Sequence, residues 1–164
     1  MVALQIKEVK NFMGQLLATP LLDSFLVQEG VIHTYNSFWI DGRINADFYT
    51  KEELEEEVYD FSTWEKLRPI CFELVKGKKT PTLLKLVLQQ KPEDSYSLLE
   101  QGGCSGLNPA LKGLLVTIKF DQNGLVLTTG TSFSTFIMDK TPDLLWDQWM
   151  KQFLTEKGIG WEEL

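Results

Sequence analysis

The chain has 164 residues, of which 43% are apolar, and it contains ten phenylalanines and five tryptophans. This composition is typical of a globular domain and excludes a disordered segment, and the length suits one domain spanning residues 1–164. The net charge of −7 disfavours nucleic acid as a partner, because phosphate binding needs clustered positive charge.

No segment of the sequence is typical of export or of membrane insertion. Lys7 and Glu8 lie where a signal peptide would need its apolar core, and no apolar run approaches the ~20 residues of a membrane span. We therefore expect a cytoplasmic protein without a membrane partner, in which Cys71 and Cys104 are reduced thiols.

The first quarter of the chain predicts a helix followed by a strand-rich segment. Apolar residues recur at helical spacing from Gln5 to Leu17, and the helix ends before Thr19-Pro20. Residues 25–49 are rich in β-branched and aromatic side chains. Asp41-Gly42 predicts a two-residue hairpin turn there, and Glu29-Gly30 predicts a turn or a bulge, so we expect a three-stranded meander.

Two helices are predicted between residues 50 and 77. Thr50 followed by Glu53 is the capping-box pattern that opens a short acidic helix. Ser62-Thr63-Trp64-Glu65 repeats the opening signal, and Gly77 marks the end of the second helix. Because an interior proline costs about 3 kcal/mol, we expect Pro69 to divide the second helix into two shorter pieces, with a helix kinked at Pro69 as the alternative.

The remaining elements alternate between strand and helix patterns. Leu83 to Gln89 predicts a strand, and Pro92 opens a helix that ends at Gly102-Gly103. The glycine-rich residues 102–109 predict an exposed mobile loop. A final helix is predicted from the N-cap Thr141 to near Gly158, with a wide apolar stripe formed by Leu145, Trp146, Trp149, Met150, Phe153 and Leu154.

Leu114 to Met138 contains the strongest strand pattern in the chain. Apolar residues alternate from Leu114 to Phe120, and Asn123-Gly124 predicts a type I′ hairpin turn. Gly130 predicts a kink or bulge before a third strand, Ser132 to Met138, which would complete a second three-stranded meander.

These elements predict a single α+β domain. Two meanders and the Leu83–Gln89 strand supply about seven strands, which should form one mostly antiparallel, strongly twisted sheet or half-barrel. The N- and C-terminal helices are expected to pack against it. A closed barrel with peripheral helices is the alternative.

Three groups of residues resemble a known family. They are Phe38-Trp39-Ile40-Asp41-Gly42, Leu67-Arg68-Pro69-Ile70-Cys71-Phe72 with Lys76-Gly77-Lys78, and Thr129-Gly130-Thr131 followed by Asp139-Lys140-Thr141. They are similar to a family of small uncharacterised proteins, a domain of unknown function, from Gram-positive anaerobic bacteria. The resemblance covers nearly the whole chain and implies one complete bacterial domain. The family has no assigned activity, so no functional residue is implied.

Few residues in the sequence could carry chemistry. His33 is the only histidine, which excludes metal sites that need two imidazoles, and the sequence predicts neither a metal nor a cofactor. We interpret His33 as a structural or surface residue, with a general base as the alternative. Cys71 lies on an apolar helical stripe, whereas Cys104 lies among glycines and is expected to be the more accessible thiol. No catalytic motif is recognisable, so the sequence does not indicate an enzyme.

Two groups of residues are candidate binding sites. The predicted first hairpin is apolar on both faces, so one face needs a cover from a helix of this chain, a second subunit or a ligand. The candidate ligand- or partner-binding residues there are His33, Tyr35, Trp39, Asp41, Arg43 and Phe48. A weaker signal is the basic group of Arg68, Lys76 and Lys78, which could bind a small anion.

Two hypotheses about function follow from these residues. The first is a non-catalytic binding or protein-interaction module that forms a homo-oligomer or docks a protein partner through the aromatic hairpin. The alternative is a small-molecule binding protein or a carboxylate-dependent hydrolase, with His33, Asp41, Arg43 and Asp47 converging at one end of the first meander.

Overall fold

The computed structural model describes residues 1–164 and contains one seven-stranded sheet. The strands are β1 Ala3–Ile6, β2 Leu26–His33, β3 Ser37–Asp41, β4 Leu83–Gln89, β5 Leu111–Asp121, β6 Gly124–Phe133 and β7 Trp161–Glu163. Their order in the sheet is β3-β2-β4-β5-β6-β1-β7, and every neighbouring pair is antiparallel. The helices are α1 Val9–Ala18, α2 Lys51–Glu56, α3 Trp64–Val75, α4 Pro92–Gln101 and α5 Thr141–Glu156, with 3₁₀ turns at Ala46–Phe48 and Ser105–Ala110. The predicted α+β domain with an antiparallel sheet of about seven strands is confirmed. The sheet is open, with β3 and β7 as its edges, so the closed-barrel alternative is wrong.

The two faces of the sheet differ, because side chains alternate along each strand. One face is apolar and shares a core with α1, α3, α4 and α5. Its buried residues on the central strands are Leu84, Leu86, Leu88, Val116, Ile118, Leu125 and Leu127. The opposite face carries no helix of the core, and its residues include Lys85, Val87, Thr117, Lys119, Val126 and Thr128, which are half-buried or exposed.

Two fully buried tryptophans fix helices of the core. Trp64 begins α3 and donates its indole N–H to the Leu16 carbonyl at 3.0 Å, near the end of α1. Trp146 in α5 donates to the Leu115 carbonyl of β5 at 2.7 Å. The Leu16 carbonyl lies in the last turn of α1, where carbonyls lack a partner within the helix, whereas Leu115 lies inside β5, and in both cases the ring fills the core. The predicted role of the final helix as a cover of the sheet is therefore confirmed.

The start of the chain differs from the prediction. Ala3–Ile6 forms β1 between β6 and β7, and the helix begins only at Val9, so the prediction of a helix from Gln5 was wrong at its first turn. The reason is tertiary, because Leu4 and Ile6 are buried between strands that lie more than a hundred residues away along the chain. A local apolar period cannot reveal such a partner.

The first meander is a two-stranded hairpin. Its turn lies at Thr34–Asn36, and residues 43–49 form no strand, so the predicted turn at Asp41-Gly42 was wrong. Gly42 instead passes against β2, where a Cβ atom would lie 1.7 Å from the Val27 carbonyl oxygen. The glycine therefore permits a close approach of two backbones rather than a turn. A bulge does occur in β2, between Val27 and Glu29.

Thr50 and Glu53 form the predicted capping box of α2. Helix α3 runs without a break through Pro69, so the expected division into two pieces was wrong. Trp64 and Cys71 are buried on either side of the proline, and this packing holds both halves of α3 in one helix.

The strand Leu83–Gln89, the helix from Pro92 and the hairpin of β5 and β6 are confirmed, but two details of the second meander were wrong. Asp121 pairs with Gly124, so Gln122 and Asn123 occupy the turn, and only the glycine has positive φ, at 113°. A type I′ turn would need positive φ at both central residues. Strand β6 also continues through Gly130, and residues 134–140 form no third strand.

None of the helices combines the length and the apolarity that a membrane span requires.

Candidate functional site

The aromatic hairpin of β2 and β3 forms one edge of the sheet. Tyr35 at the turn is 78% exposed and Trp39 in β3 is 69% exposed. Trp39 lies opposite Val31 on the face that carries no helix, and its ring packs edge-on against His33, with 5.7 Å between ring centroids. Phe38 points to the other face and packs edge-on against Tyr35. The hairpin thus presents large aromatic side chains to solvent at the open edge.

The backbone of β3 has one free side. The His33 carbonyl accepts a hydrogen bond from the Thr82 N–H at 2.9 Å, so the backbone of His33 faces β4 and not β3. His33 and Ser37 are therefore opposite each other in the hairpin without a hydrogen bond between their backbones. Bonded and non-bonded pairs alternate along an antiparallel ladder. The N–H and C=O groups of Ser37, Trp39 and Asp41 consequently face outward at the sheet edge.

The two edges of the sheet differ in how they are protected. β7 has three residues and carries Glu162 and Glu163, and short length and charge are usual protections against strand pairing. β3 has five residues, no proline and no basic residue, and its single charge lies at its end, at Asp41. Only β3 is therefore an edge that favours the addition of another strand.

The structure does not gather the polar residues that were predicted to converge. His33 and Asp41 lie at opposite ends of the hairpin, where they pair with Ser37 and Glu29. Asp47 is exposed in the 3₁₀ turn that follows β3.

Two further members of the predicted site lie beyond the hairpin. The Arg43 guanidinium lies 5.9 Å from the centre of the Phe61 ring. Phe48 is 82% exposed and packs edge-on against Tyr49. Of the six predicted partner-binding residues, the structure therefore brings His33, Tyr35 and Trp39 together on the hairpin.

The predicted basic group is partly neutralised. Arg68 makes a two-pronged ion pair with Asp23, at 2.8 and 2.9 Å, and the carboxylate raises the pKa of Arg68. Lys76 pairs with Glu73 at 2.6 Å on the exposed surface of α3. Lys78 is exposed after the helix. An anion at this place would compete with two carboxylates, so the group remains a weak candidate.

A cleft of about 950 Å³ lies on the face of the sheet opposite the core, at the end where residues 43–61 and the first turns of α4 rise beside it, and sequence reasoning missed it. Residues 43–61 leave the sheet after β3 and cover one end of this face. The floor consists of strand residues and the walls come from residues 43–61 and α4. The lining includes Leu26, Gln28, Gln89, Leu115 and Ser132 on the floor, and Ile44, Tyr59, Phe61, Pro92 and Tyr96 on the walls.

Two glutamines lie at the centre of the floor. Gln28 Nε2 donates to Gln89 Oε1 at 2.7 Å, and Gln89 Nε2 donates to the Lys112 carbonyl at 3.4 Å. Gln89 is only 6% exposed. Glutamine is unusual at a buried position of a strand, and this was the one signal in the sequence that pointed to a polar site here.

A second polar pair lies at the rim of the cleft. The Tyr59 hydroxyl donates a short hydrogen bond to Glu93, which raises the pKa of Tyr59 to about 12 and lowers the pKa of Glu93. The Lys91 ammonium lies 5.5 Å from the centre of the Tyr59 ring. These contacts join residues 43–61 to the start of α4 and hold the wall in place.

The cysteines do not form a reactive site. Cys104 is 9% exposed and its Sγ–H donates to the Leu99 carbonyl, so the expectation that it is the accessible thiol was wrong. The glycine-rich segment that contains it forms the 3₁₀ turn Ser105–Ala110 rather than a loose loop. Cys71 is 1% exposed. Burial raises the pKa of Cys71 to about 12 and also raises that of Cys104.

No group of three or more His, Cys, Asp or Glu residues is arranged to hold a metal ion. The fold and these surfaces define an open-faced α+β protein with an unprotected sheet edge and a cleft. The chain belongs to a family described as a family of unknown function (DUF5721), which matches residues 15–162. Comparison with curated proteins and with solved structures finds no match.

Proposed function

We propose that the protein is a non-catalytic interaction module that associates with a second copy of itself through the β3 edge of its sheet. Its setting would be the cytoplasm, as the sequence pattern predicts, of Gram-positive anaerobic bacteria, as the family resemblance implies. The observation that carries this proposal is the unprotected edge strand, in which Trp39 is 69% exposed beside free backbone groups. Exposed edge strands of this kind pair readily with other strands.

The sequence of β3 is complementary to itself in antiparallel pairing. If the two-fold axis passes through Trp39, the two Trp39 side chains face each other and Ser37 lies opposite Asp41 of the second copy. Pairs of like charge, which destabilise a ladder, are thereby avoided. The outward N–H and C=O groups of these three residues would form about six backbone hydrogen bonds between the two copies.

The expected association is weak. A stable protein interface buries roughly 1,200 to 2,000 Å², and an edge of five residues with its aromatic side chains supplies less than that. We therefore expect a dissociation constant of roughly 10 to 100 μM, as for small transient interfaces.

Sedimentation velocity between about 5 μM and 1 mM spans the affinity expected for such an interface. The weight-average sedimentation coefficient should rise from that of a monomer to that of a dimer. Trp39→Glu should remain monomeric, because two carboxylates would face each other across the axis. The Trp39→Lys variant should also be monomeric when it is measured by itself.

An equimolar mixture of the Glu and Lys variants is the decisive sample. Opposite charges would face each other only in symmetric pairing through β3, so the mixture should associate where neither variant does. Phe136→Glu, which alters an 87% exposed aromatic residue outside the hairpin, is the matched control and should dimerise like the parent chain. A parent chain that stays monomeric at every concentration would refute the proposal, and so would a mixture that stays monomeric.

A further inference from the structure

We propose that the cleft on the open face of the sheet binds a small, uncharged, planar molecule whose edge carries both a hydrogen-bond donor and an acceptor, as in a cyclic amide or a pyrimidine-type ring. This inference goes beyond self-association, and no residue of β3 lines the cleft.

Irregular strands build the floor of the cleft. β2 bulges between Val27 and Glu29, which leaves Gln28 without a partner residue in β4, and β5 bulges between Leu111 and Gly113. A bulge turns a side chain away from the regular alternation, and bulges are common beside binding sites. Here the two bulges lie on either side of the β4 strand end that carries Gln89.

Gly113 makes room for the buried amide. A Cβ atom at this position would lie 2.8 Å from Gln89 Cδ, closer than a side chain can approach. With the glycine, the amide of Gln89 lies against the β5 backbone and bonds to the Lys112 carbonyl. Gln89 in turn holds the amide of Gln28 through the bond at 2.7 Å.

Gln28 presents the recognition edge. One of its Nε2 hydrogens is used by Gln89, and its Oε1 makes no hydrogen bond within the chain and is not enclosed. The remaining N–H and the carbonyl oxygen give one donor and one acceptor on a fixed amide. A ligand edge with the complementary donor and acceptor satisfies both groups at once.

The walls favour a flat and uncharged ligand. Tyr59, Phe61 and Tyr96 provide aromatic surface, on which planar rings pack favourably. The charged lining residues are balanced, with Arg43 and Lys112 against Glu57 and Asp60. The volume of about 950 Å³ falls in the range of small-molecule sites. Neither a strongly anionic nor a strongly cationic ligand gains from this lining.

The probes are uracil, benzoate and toluene, which share a planar ring but differ at the edge. Uracil and benzoate are titrated into the 15N-labelled full chain to about 10 mM, and toluene to its solubility limit, because ligands of so few atoms bind with roughly millimolar affinity. Uracil should shift the side-chain amide signals of Gln28 and Gln89 and bind at least about tenfold more tightly than the other two, as expected when an unmatched polar edge is rejected.

Two variants test the assignment of residues. Gln28→Leu should weaken uracil binding about tenfold or more, because the amide edge is lost. Gly113→Ala should also weaken it, through displacement of Gln89. Gln5→Leu, which removes a glutamine from β1 of the same sheet, is the matched control and should bind like the parent chain. The melting temperature of each variant verifies that it is folded.

Three results would overturn the inference. They are the absence of uracil binding up to the highest concentration, equal or tighter binding of benzoate or toluene, and uracil binding that survives Gln28→Leu in a folded protein. The Trp39→Glu variant should bind uracil normally, so failure of the dimer proposal and failure of the ligand proposal are separable.

Discussion

Trp146 is one of the two fully buried tryptophans, and its removal should strongly destabilise the protein. It is fully buried at the contact between α5 and the sheet, and its ring stacks on Trp149 with 5.1 Å between centroids. Its indole N–H also donates to the Leu115 carbonyl at 2.7 Å. Trp146→Ala would remove the packing and the hydrogen bond together.

The size of the effect follows from burial. A tryptophan buries on the order of 200 Å², which at about 25 cal/mol per Å² corresponds to roughly 5 kcal/mol. The neighbouring Trp149 is only half-buried, so Trp149→Ala should cost about half as much, roughly 2 to 3 kcal/mol. Trp146→Phe keeps most of the ring but leaves the carbonyl of Leu115 without its donor, at a cost of about 1 to 3 kcal/mol.

Urea unfolding followed by far-UV circular dichroism at 222 nm, roughly the wavelength at which the helical backbone dominates the signal, measures all three variants. With a slope of about 2 kcal/mol per M for a domain of this size, Trp146→Ala should lower the midpoint by about 2.5 M or leave the chain unfolded. The Phe variant should lower it by about 1 M.

The order of the variants is the strict test. Trp146→Ala must be the most destabilised of the three, whatever the absolute values. A Trp149→Ala variant that is less stable than Trp146→Ala would refute the placement of Trp146 at the centre of the core. Equal stability of Trp146→Phe and the parent chain would refute the role of the indole hydrogen bond.

Three other predictions follow from the packing. Deletion from Thr141 onward removes α5 and β7, and circular dichroism should show loss of the folded signal. Cys71 and Cys104, whose pKa values are raised by burial, should react with Ellman's reagent at about pH 8 only after denaturant is added, and fast labelling of the native protein would contradict this. Arg68→Met should cost about 1 to 3 kcal/mol because the carboxylate of Asp23 loses its partner, and adding Asp23→Asn should restore part of the stability in a double-mutant cycle.

Local patterns predicted the elements whose determinants lie within a few residues. The β4 strand, the capping box of α2 and the wide stripe of α5 depend on side chains one or two turns apart. Local sequence patterns gave wrong predictions where a strand distant along the chain determines the secondary structure. Ile6 fits a helical period with Val9 and Met13, yet it is a strand residue because β6 and β7 lie on either side of β1.

The cleft could not be predicted because it depends on the course that the backbone takes after β3 rather than on a sequence motif. Asp41-Gly42 has the composition of a hairpin turn, but Gly42 lies against the backbone of β2 and residues 43–61 cross the open face of the sheet. Because Asp41-Gly42 was predicted to be a hairpin turn, residues 43–49 were predicted to form a strand rather than the wall of a cleft. Gln28 and Gln89 meet only because β2 and β4 are neighbours, although they are 61 residues apart.

The position of β1 in the sheet bears on how the chain folds as it is synthesised. β1 is translated before the other strands and helices of this sheet, but Leu4 pairs with Leu127 on one side and Glu163 on the other. Its hydrogen bonds therefore form only when nearly all of the domain has left the ribosome, and its apolar residues stay exposed until then. Closure of such long loops slows folding. We expect this domain to fold only after β6 and β7 have been synthesised, with the emerging β1 segment as a natural contact for a ribosome-associated chaperone.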